Sequence, residues 1–492
     1  MYSHEQLCRT VQWFSLHTSK DQTMNLEISA SSGVPMTDQL VSGITNLIRT
    51  RQLLSGAKLP SIRALAASQQ ISRFPVIEAY DRLSSLGMIV PKHGSGFFVA
   101  NHMGSEEPGG GSDPRLAEEE SNQILQQFNY PGETLKLSSG FVPEAWRDLE
   151  GITQTVRQVM RMDPSSVIDY AMPHGDANLR HQIQMRLAHV GVEADVSNII
   201  VTTGASQGLD LIVRFMLKAG DTVLVEDPGY YNLFGLLKLQ GVKIVGVPRL
   251  ATGPDVDVAE HLLKTIKPKL FFINTVFHNP TATNIAPQVA FKLLQLAQQH
   301  DFTIVEDDIY ADFQATPTQR LASLDQLDHV IYLGGLSKTL SSSLRIGYLA
   351  AKRELVKDLV DVKVLTSLGG SRFSECVVAA LLERGTYRKY LERLRRRVRD
   401  ALSTAVQRIE EHGWEVFDEP SGGNFIWTRV PHIDDSMVLV EQALKFGITL
   451  APGSYYRPNG ETSAWVRINT AHADDPRALK FFEHMADYAP KR

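Results

Sequence analysis

The sequence predicts an α/β protein with a largely parallel sheet, preceded by a small α+β head. Three observations carry that prediction. From Asn198 onward, compact apolar runs alternate with amphipathic stretches. Before Met103, three short helical patterns lead into two β-rich pieces around a glycine-bearing turn. Between the two patterns lies an acidic, glycine-rich segment. The 492 residues are 43% hydrophobic and 21% charged, a globular balance and enough chain for two to four domains of ~100–200 residues each. Only Cys8 and Cys376 are cysteines, which excludes a disulfide scaffold and a four-cysteine zinc site; no metal site is expected. No apolar run approaches about 18 residues, so no membrane span is predicted. The first 20 residues lack the apolar core of a signal peptide, and a cytoplasmic location is expected.

In the head, Leu40, Val41, Ile44, Leu47 and Ile48 follow helical spacing behind Thr37, a candidate cap. Ser61 can cap a second helix carrying Ile62, Leu65 and Ala66, and Ser72 a third with Val76, Ile77, Tyr80 and Leu83. Met88–Val90 and Phe97–Val99 read as strands joined through Pro91-Lys92-His93-Gly94-Ser95-Gly96. Three helices and a hairpin make a winged helix-turn-helix, whose narrow helix fits a DNA major groove. Met24–Met103 holds seven Lys or Arg against four acids, whereas Gly104–Ser121 holds six acids against Arg115 alone. That local asymmetry suits double-stranded DNA better than the net charge of −5 does, although a three-helix protein-binding module is the blander reading. Leu54–Val99 resembles the GntR-type winged-helix family. The resemblance implies DNA contacts from Arg63, from Ser72 and Arg73 at the start of the recognition helix, and from a wing with Lys92, Gly94 and Gly96. One departure stands out: Pro75 replaces the threonine usual in Ser-Arg-x-Thr-Val, which keeps the helix possible but removes a hydroxyl.

Residues 104–132 read as a linker and 1–23 as a disordered tail. The head then spans 24–103 and the body 133–492, with a smaller subdomain mainly from about 384 onward. In the body, Ile199–Thr202, Val223–Val225, Ile244–Val247, Leu270–Ile273, Phe302–Val305 and Val330–Leu333 are the apolar runs. Ligands in such sheets sit at the carboxyl ends of strands. There the chain places Gly204-Ala205-Ser206, Asp227-Pro228-Gly229-Tyr230, His278-Asn279-Pro280-Thr281, Asp307-Asp308-Ile309-Tyr310 and Ser337-Lys338, with Arg345 seven residues on. Each alone is an ordinary loop end. Together they supply an anion cradle, a lysine, a basic anchor, a carboxylate and tyrosines, the set that pyridoxal phosphate needs.

Their order resembles the fold-type I aminotransferases over about Leu135–Met485. The resemblance implies Lys338 as the Schiff-base lysine and Arg345, Ala205 and Ser206 at the phosphate. It further implies Asp307 at the ring nitrogen, Asn279 and Tyr310 at the ring hydroxyl, Tyr230 over the ring, Arg467 on a substrate carboxylate and Tyr170 on the partner subunit's phosphate. Departures are Ala282 for the glycine of Asn-Pro-Thr-Gly, Gly335 for a hydroxyl residue and Ser342 for a proline. The basic run Arg384–Arg399 could touch DNA, but the favoured reading is a solvated helix face over buried Tyr390, Leu391, Leu394 and Val398.

Head and body in this order resemble the MocR-type subfamily of GntR regulators. That likeness implies a homodimer, head-to-tail and domain-swapped, that binds DNA and senses an amine or amino acid effector as an aldimine at Lys338. The alternative is an active aminotransferase of a carboxylated amino acid with an accessory head. A sensor role is favoured over turnover. A third option, a DNA-binding protein without cofactor, is disfavoured by the intact Lys338, Asp307 and Arg345.

Overall fold

The computed structural model describes Leu26 and residues 34–49, 52–54, 56–85, 88–92, 95–100 and 134–488. It forms two compact units, one on each side of the Ser112/Asp113 junction. The expected tail at 1–23, the expected linker at 104–132 and the wing residue Gly94 lie outside the described residues.

The head contains α1 (Met36–Arg49), α2 (Ile62–Ser68), α3 (Arg73–Ser85), β1 (Ile89–Lys92) and β2 (Gly96–Val99). Leu40, Ile44, Leu65, Val76, Tyr80, Leu83, Ile89 and Val99 form its core. Ser61 caps α2, its hydroxyl accepting from the Ala64 amide at 3.2 Å. Thr37 does not cap α1. The helix begins one residue earlier, which turns the Thr37 hydroxyl toward α3, where it donates to Glu78 at 3.1 Å. Pro75 sits in the first turn of α3, where its missing N–H costs little. The hairpin is longer than its apolar residues suggest: Lys92 pairs with Gly96, so Lys92 ends a strand instead of lying in the turn.

The body's strands are β3 (Leu135–Lys136), β4 (Ile199–Thr203), β5 (Thr222–Asp227), β6 (Lys243–Leu250), β7 (Gly253–Pro254), β8 (Leu270–Ile273) and β9 (Thr303–Asp307). They continue as β10 (Val330–Gly335), β11 (Ile346–Ala350), β12 (Glu415–Val416), β13 (Phe425–Arg429), β14 (Ile448–Thr449), β15 (Ala451–Pro452) and β16 (Trp465–Asn469). The main sheet runs β4-β11-β10-β9-β8-β5-β6-β7. Its central five strands are parallel, and β11 is antiparallel to both neighbours. Helices such as Gly204–Met216 and Pro287–His300 cover opposite apolar faces. That coverage explains why Leu270–Ile273 is apolar throughout and wholly buried. Because β11 reverses direction, its beginning joins the carboxyl ends of β4, β5, β8, β9 and β10 at one edge. Five distant pieces of sequence meet there.

A second, antiparallel sheet, β12-β13-β16-β15, packs with the helix Pro476–Ala486 around Trp414, Ile426, Phe481 and Phe482. The helix Thr386–Glu411 spans both cores: Tyr387 to Val398 enter the main one, Leu402 to Ile409 the smaller. Its Arg388, Lys389, Arg393, Arg396, Arg397 and Arg399 are exposed. No described helix is long and apolar enough to cross a membrane.

Gly347 on β11 lies flat against the start of the helix Gly204–Met216. A Cβ there would stand 2.4 Å from the Gly204 carbonyl carbon and 2.5 Å from the Ala205 amide. Gly347→Ala should therefore lower the unfolding free energy by about 2–3 kcal/mol through overpacking, read by urea denaturation; a change within ~0.5 kcal/mol would contradict this packing.

Candidate functional site

The edge where the strand ends meet holds a cavity of about 180 Å3. Lys338, Asp307, Asn279, Tyr310, Tyr230, Ala205, Ser206, Arg345 and Arg467 all line it. Lys338 is supplied by the loop after β10, Asp307 by the last position of β9, and Arg467 by β16 of the smaller sheet. The pocket therefore closes only where the two sheets meet. Tyr170 stands apart: it is 82% exposed and is not part of the lining.

Lys338 Nζ lies 4.2 Å from the centre of the Phe141 ring and 5.9 Å from that of Tyr310. Burial, then the Arg467 guanidinium, lowers its pKa from 10.5 to about 7, with Asp307 opposing. Burial likewise pushes the Asp307 carboxyl up to about 7, against the Ile309 amide that donates to it at 3.2 Å. Arg467 donates to Asn279 Oδ1 and to the Ser138 carbonyl, both at 2.6 Å. Its buried Nε has no partner. The Tyr230 hydroxyl accepts from Asn232 at 2.9 Å, which fixes the ring at the cavity wall.

The lining also offers groups suited to a phosphate. The helix Gly204–Met216 begins there without a side-chain cap, leaving backbone N–H groups for an anion. Arg345 donates to the Thr203 carbonyl at 3.2 Å. Gly204 makes room for that guanidinium: its φ is +72°, and a Cβ would come within 2.8 Å of Arg345 Nη2. The Ser337 hydroxyl, also in the lining, is buried without a partner. An uncapped helix start, an arginine and an orphan hydroxyl form an anion cradle beside a lysine with a lowered pKa.

Sequence reasoning missed Gly140, Phe141 and Asn232 of the lining, and it gave no role to Ser337 or Tyr231 at the strand ends. Gly140 permits the approach of Lys338, whose Nζ would lie 3.2 Å from a Cβ there. Phe141 belongs to no motif, and only its contact with Lys338 marks it. Ala282 keeps a φ of +59°, so alanine occupies a left-handed position that favours glycine.

On the head, Arg63, Ser72, Arg73, Lys92 and Gly96 are exposed. Lys92 Nζ sits 4.6 Å from the centre of the Phe98 ring. Phe74, 72% exposed beside Arg73, adds an apolar surface that the sequence reading did not single out.

A three-helix head with a hairpin wing, followed by a two-sheet body with a lysine at its strand ends, defines a winged-helix protein fused to an aminotransferase-like domain. The chain belongs to the aminotransferase class I and II family, which matches residues 133–484, and its head matches the bacterial regulatory proteins of the gntR family over 36–99. It is 28% identical to the uncharacterized HTH-type transcriptional regulator YisV of Bacillus subtilis, over 90% of this chain and 94% of that one. It is 30% identical to the 2-aminoadipate transaminase of Thermus thermophilus, over 72% and 89%. The crystal structure of Pyrococcus horikoshii kynurenine aminotransferase, in complex with PMP, superposes with a TM-score of 0.69 at 25% identity, over 75% and 93%.

The lowered Lys338 pKa has a stability consequence. Between about 7 and 10.5 the unfolded chain holds a proton at this lysine that the fold has released, so stability rises with pH across that window. Lys338→Met should raise the melting temperature of the cofactor-free protein below pH 7 and lose most of that gain by about pH 10. An equal shift at both pH values would refute the burial of this charge.

Proposed function

We propose that the protein is a pyridoxal 5'-phosphate-dependent, DNA-binding transcription regulator whose aminotransferase-like body senses an amine or amino acid. The observation that carries this reading is one pocket holding Lys338, Asp307, Arg345 and Arg467 in a chain that also bears a GntR head. The relatives named HTH-type transcriptional regulators match it over most of their length. When bound, pyridoxal phosphate supplies an aldehyde carbon that takes up a primary amine and a ring that draws electrons from it.

The chain's own groups do the rest. Arg345, Ser337 and the amides of Ala205 and Ser206 receive the phosphate. Tyr230 covers the ring, and Asn279 and Tyr310 face its hydroxyl. Asp307 holds a proton at the ring nitrogen. Lys338, its pKa lowered to about 7 chiefly by burial, gives up its proton far more readily than an exposed lysine does. It can therefore act as nucleophile and move a proton without a large energetic cost. Arg467 meets the effector's carboxylate through its unpartnered Nε. The effector is thus a carboxylated amine, and it signals only by favouring one conformation over another.

The head meets DNA through Arg63, Ser72, Arg73 and the wing with Lys92, Gly94 and Gly96. The protein acts in the cytoplasm as a homodimer, head-to-tail and domain-swapped. Tyr170 serves the partner subunit's phosphate in that arrangement. The exposure of Ile168, Tyr170, Met172 and Leu365 on the body supports pairing with a second copy. Residues 24–103, 104–132 and 133–492 are its head, linker and body.

Three measurements test the reading. Reconstituted with pyridoxal phosphate, the wild type should absorb in the visible and Lys338→Ala should not; a colourless wild type would overturn the site. In fluorescence-anisotropy titrations, the loaded protein should bind DNA from just upstream of its own gene more tightly than an unrelated duplex, and keep that preference as salt rises. Arg73→Ala should weaken this binding roughly tenfold or more. Amino-group transfer from a panel of amino acids at about one turnover per second or faster would favour the enzyme over the sensor.

A further inference from the structure

Next to the cavity lies a polar knot, centred on a half-buried asparagine, that no motif announced. Asn274 leaves β8 and uses all four of its polar groups. Its amide donates to Glu226 Oε2 at 2.7 Å, and its carbonyl accepts from Arg249 Nη1 at 3.1 Å. Its side-chain Nδ2 donates to the Asp307 carbonyl at 2.5 Å, while its Oδ1 accepts from the Asn279 amide at 2.8 Å. Glu226 and Arg249 are themselves ion-paired with almost no exposure, and Arg249 Nε donates to Thr283 at 3.1 Å.

We infer that Asn274, anchored by the Glu226–Arg249 pair, is a positioning residue that sets the spacing of Asp307 and Asn279 across the cofactor ring. This rests on the reading above that the pocket takes pyridoxal phosphate. The geometry carries the argument. The two peptides that Asn274 joins come from different strand ends, and each sends its side chain into the cavity. One primary amide, with a donor on one arm and an acceptor on the other, spans both. Asn279 passes the constraint on, because its Oδ1 takes the Arg467 guanidinium. The groups meeting ring nitrogen, ring hydroxyl and carboxylate are thus tied in one chain of hydrogen bonds. The backbone ties of Asn274 to Glu226 and Arg249 stop the amide from turning away. Thr275 next door makes a contrasting, purely structural bond, donating to buried Glu306 at 2.8 Å, outside the cavity.

The full-length, cofactor-loaded protein provides the test. Asn274→Ala keeps the backbone bonds to Glu226 and Arg249 and loses both side-chain bonds. It should still form the visible band but release the cofactor about tenfold faster or more, with a displaced pH midpoint of that band. Thr275→Val should lower the melting temperature without moving either readout. If Asn274→Ala does not fold, Asn274→Asp takes its place. It has the same size, retains the acceptor for Asn279 and loses the donor to Asp307, and the same two changes are expected. Wild-type release and midpoint in the variant, or identical changes in the Thr275→Val control, would overturn the positioning role alone. A wild type that forms no visible band would overturn the cofactor reading and this inference with it.

Discussion

Lys338 and Asp307 share a pocket too dry to solvate two full charges, and the architecture of the body follows from that constraint. Burial drives the lysine down and the carboxyl up until both titrate near 7. Arg467 pushes Lys338 further down, and Asp307 pulls it part of the way back. Such a balance survives only if neither group can swing into water. The crossing of two sheets, the Phe141 ring over Nζ and the hydrogen-bonded frame around Asp307 all restrict that escape.

The same lysine loop is tied to the helix that joins the two cores of the body. Thr339, next to Lys338, shares hydrogen bonds with Tyr387 and Asp312, and its carbonyl accepts from Tyr390 at 2.6 Å. Arg395 Nε donates to the Asp312 carbonyl at 2.7 Å. All three partners on the helix Thr386–Glu411 lie in its first half, and the second half is packed into the smaller core. One helix thus links the smaller core to the residue beside Lys338. Arg467, on β16, approaches from the sheet of that core.

Much of this was legible in sequence. The apolar runs marked the parallel strands because strands covered on both faces need no polar alternation. The cores of the head's helices followed from their 3.6-residue spacing. The groups at the strand ends could be named because they follow the apolar runs directly, and their expected roles came from the resemblance to the fold-type I aminotransferases. Other features escaped for a common reason. Phe141, Asn232 and Asn274 belong to no motif: Phe141 matters through Lys338, far along the chain, Asn232 through the ring of Tyr230, and Asn274 through the strand ends it joins. Thr37 misled because a hydroxyl at a helix start can serve the helix or its neighbour equally well, and the distant Glu78 decided.

By itself, then, the amino-acid order determined the alternation of strands and helices, the winged head and the identity of the chemical groups at the strand ends. These depend on periodicity and turn geometry, which are properties of short stretches. The tertiary structure alone decided which charges share a dry pocket, how far each is shifted from its solution behaviour, and which peptide bonds hold them apart. Electrostatic and hydrogen-bond energies depend on distance and burial, and both quantities exist only once remote segments have packed together.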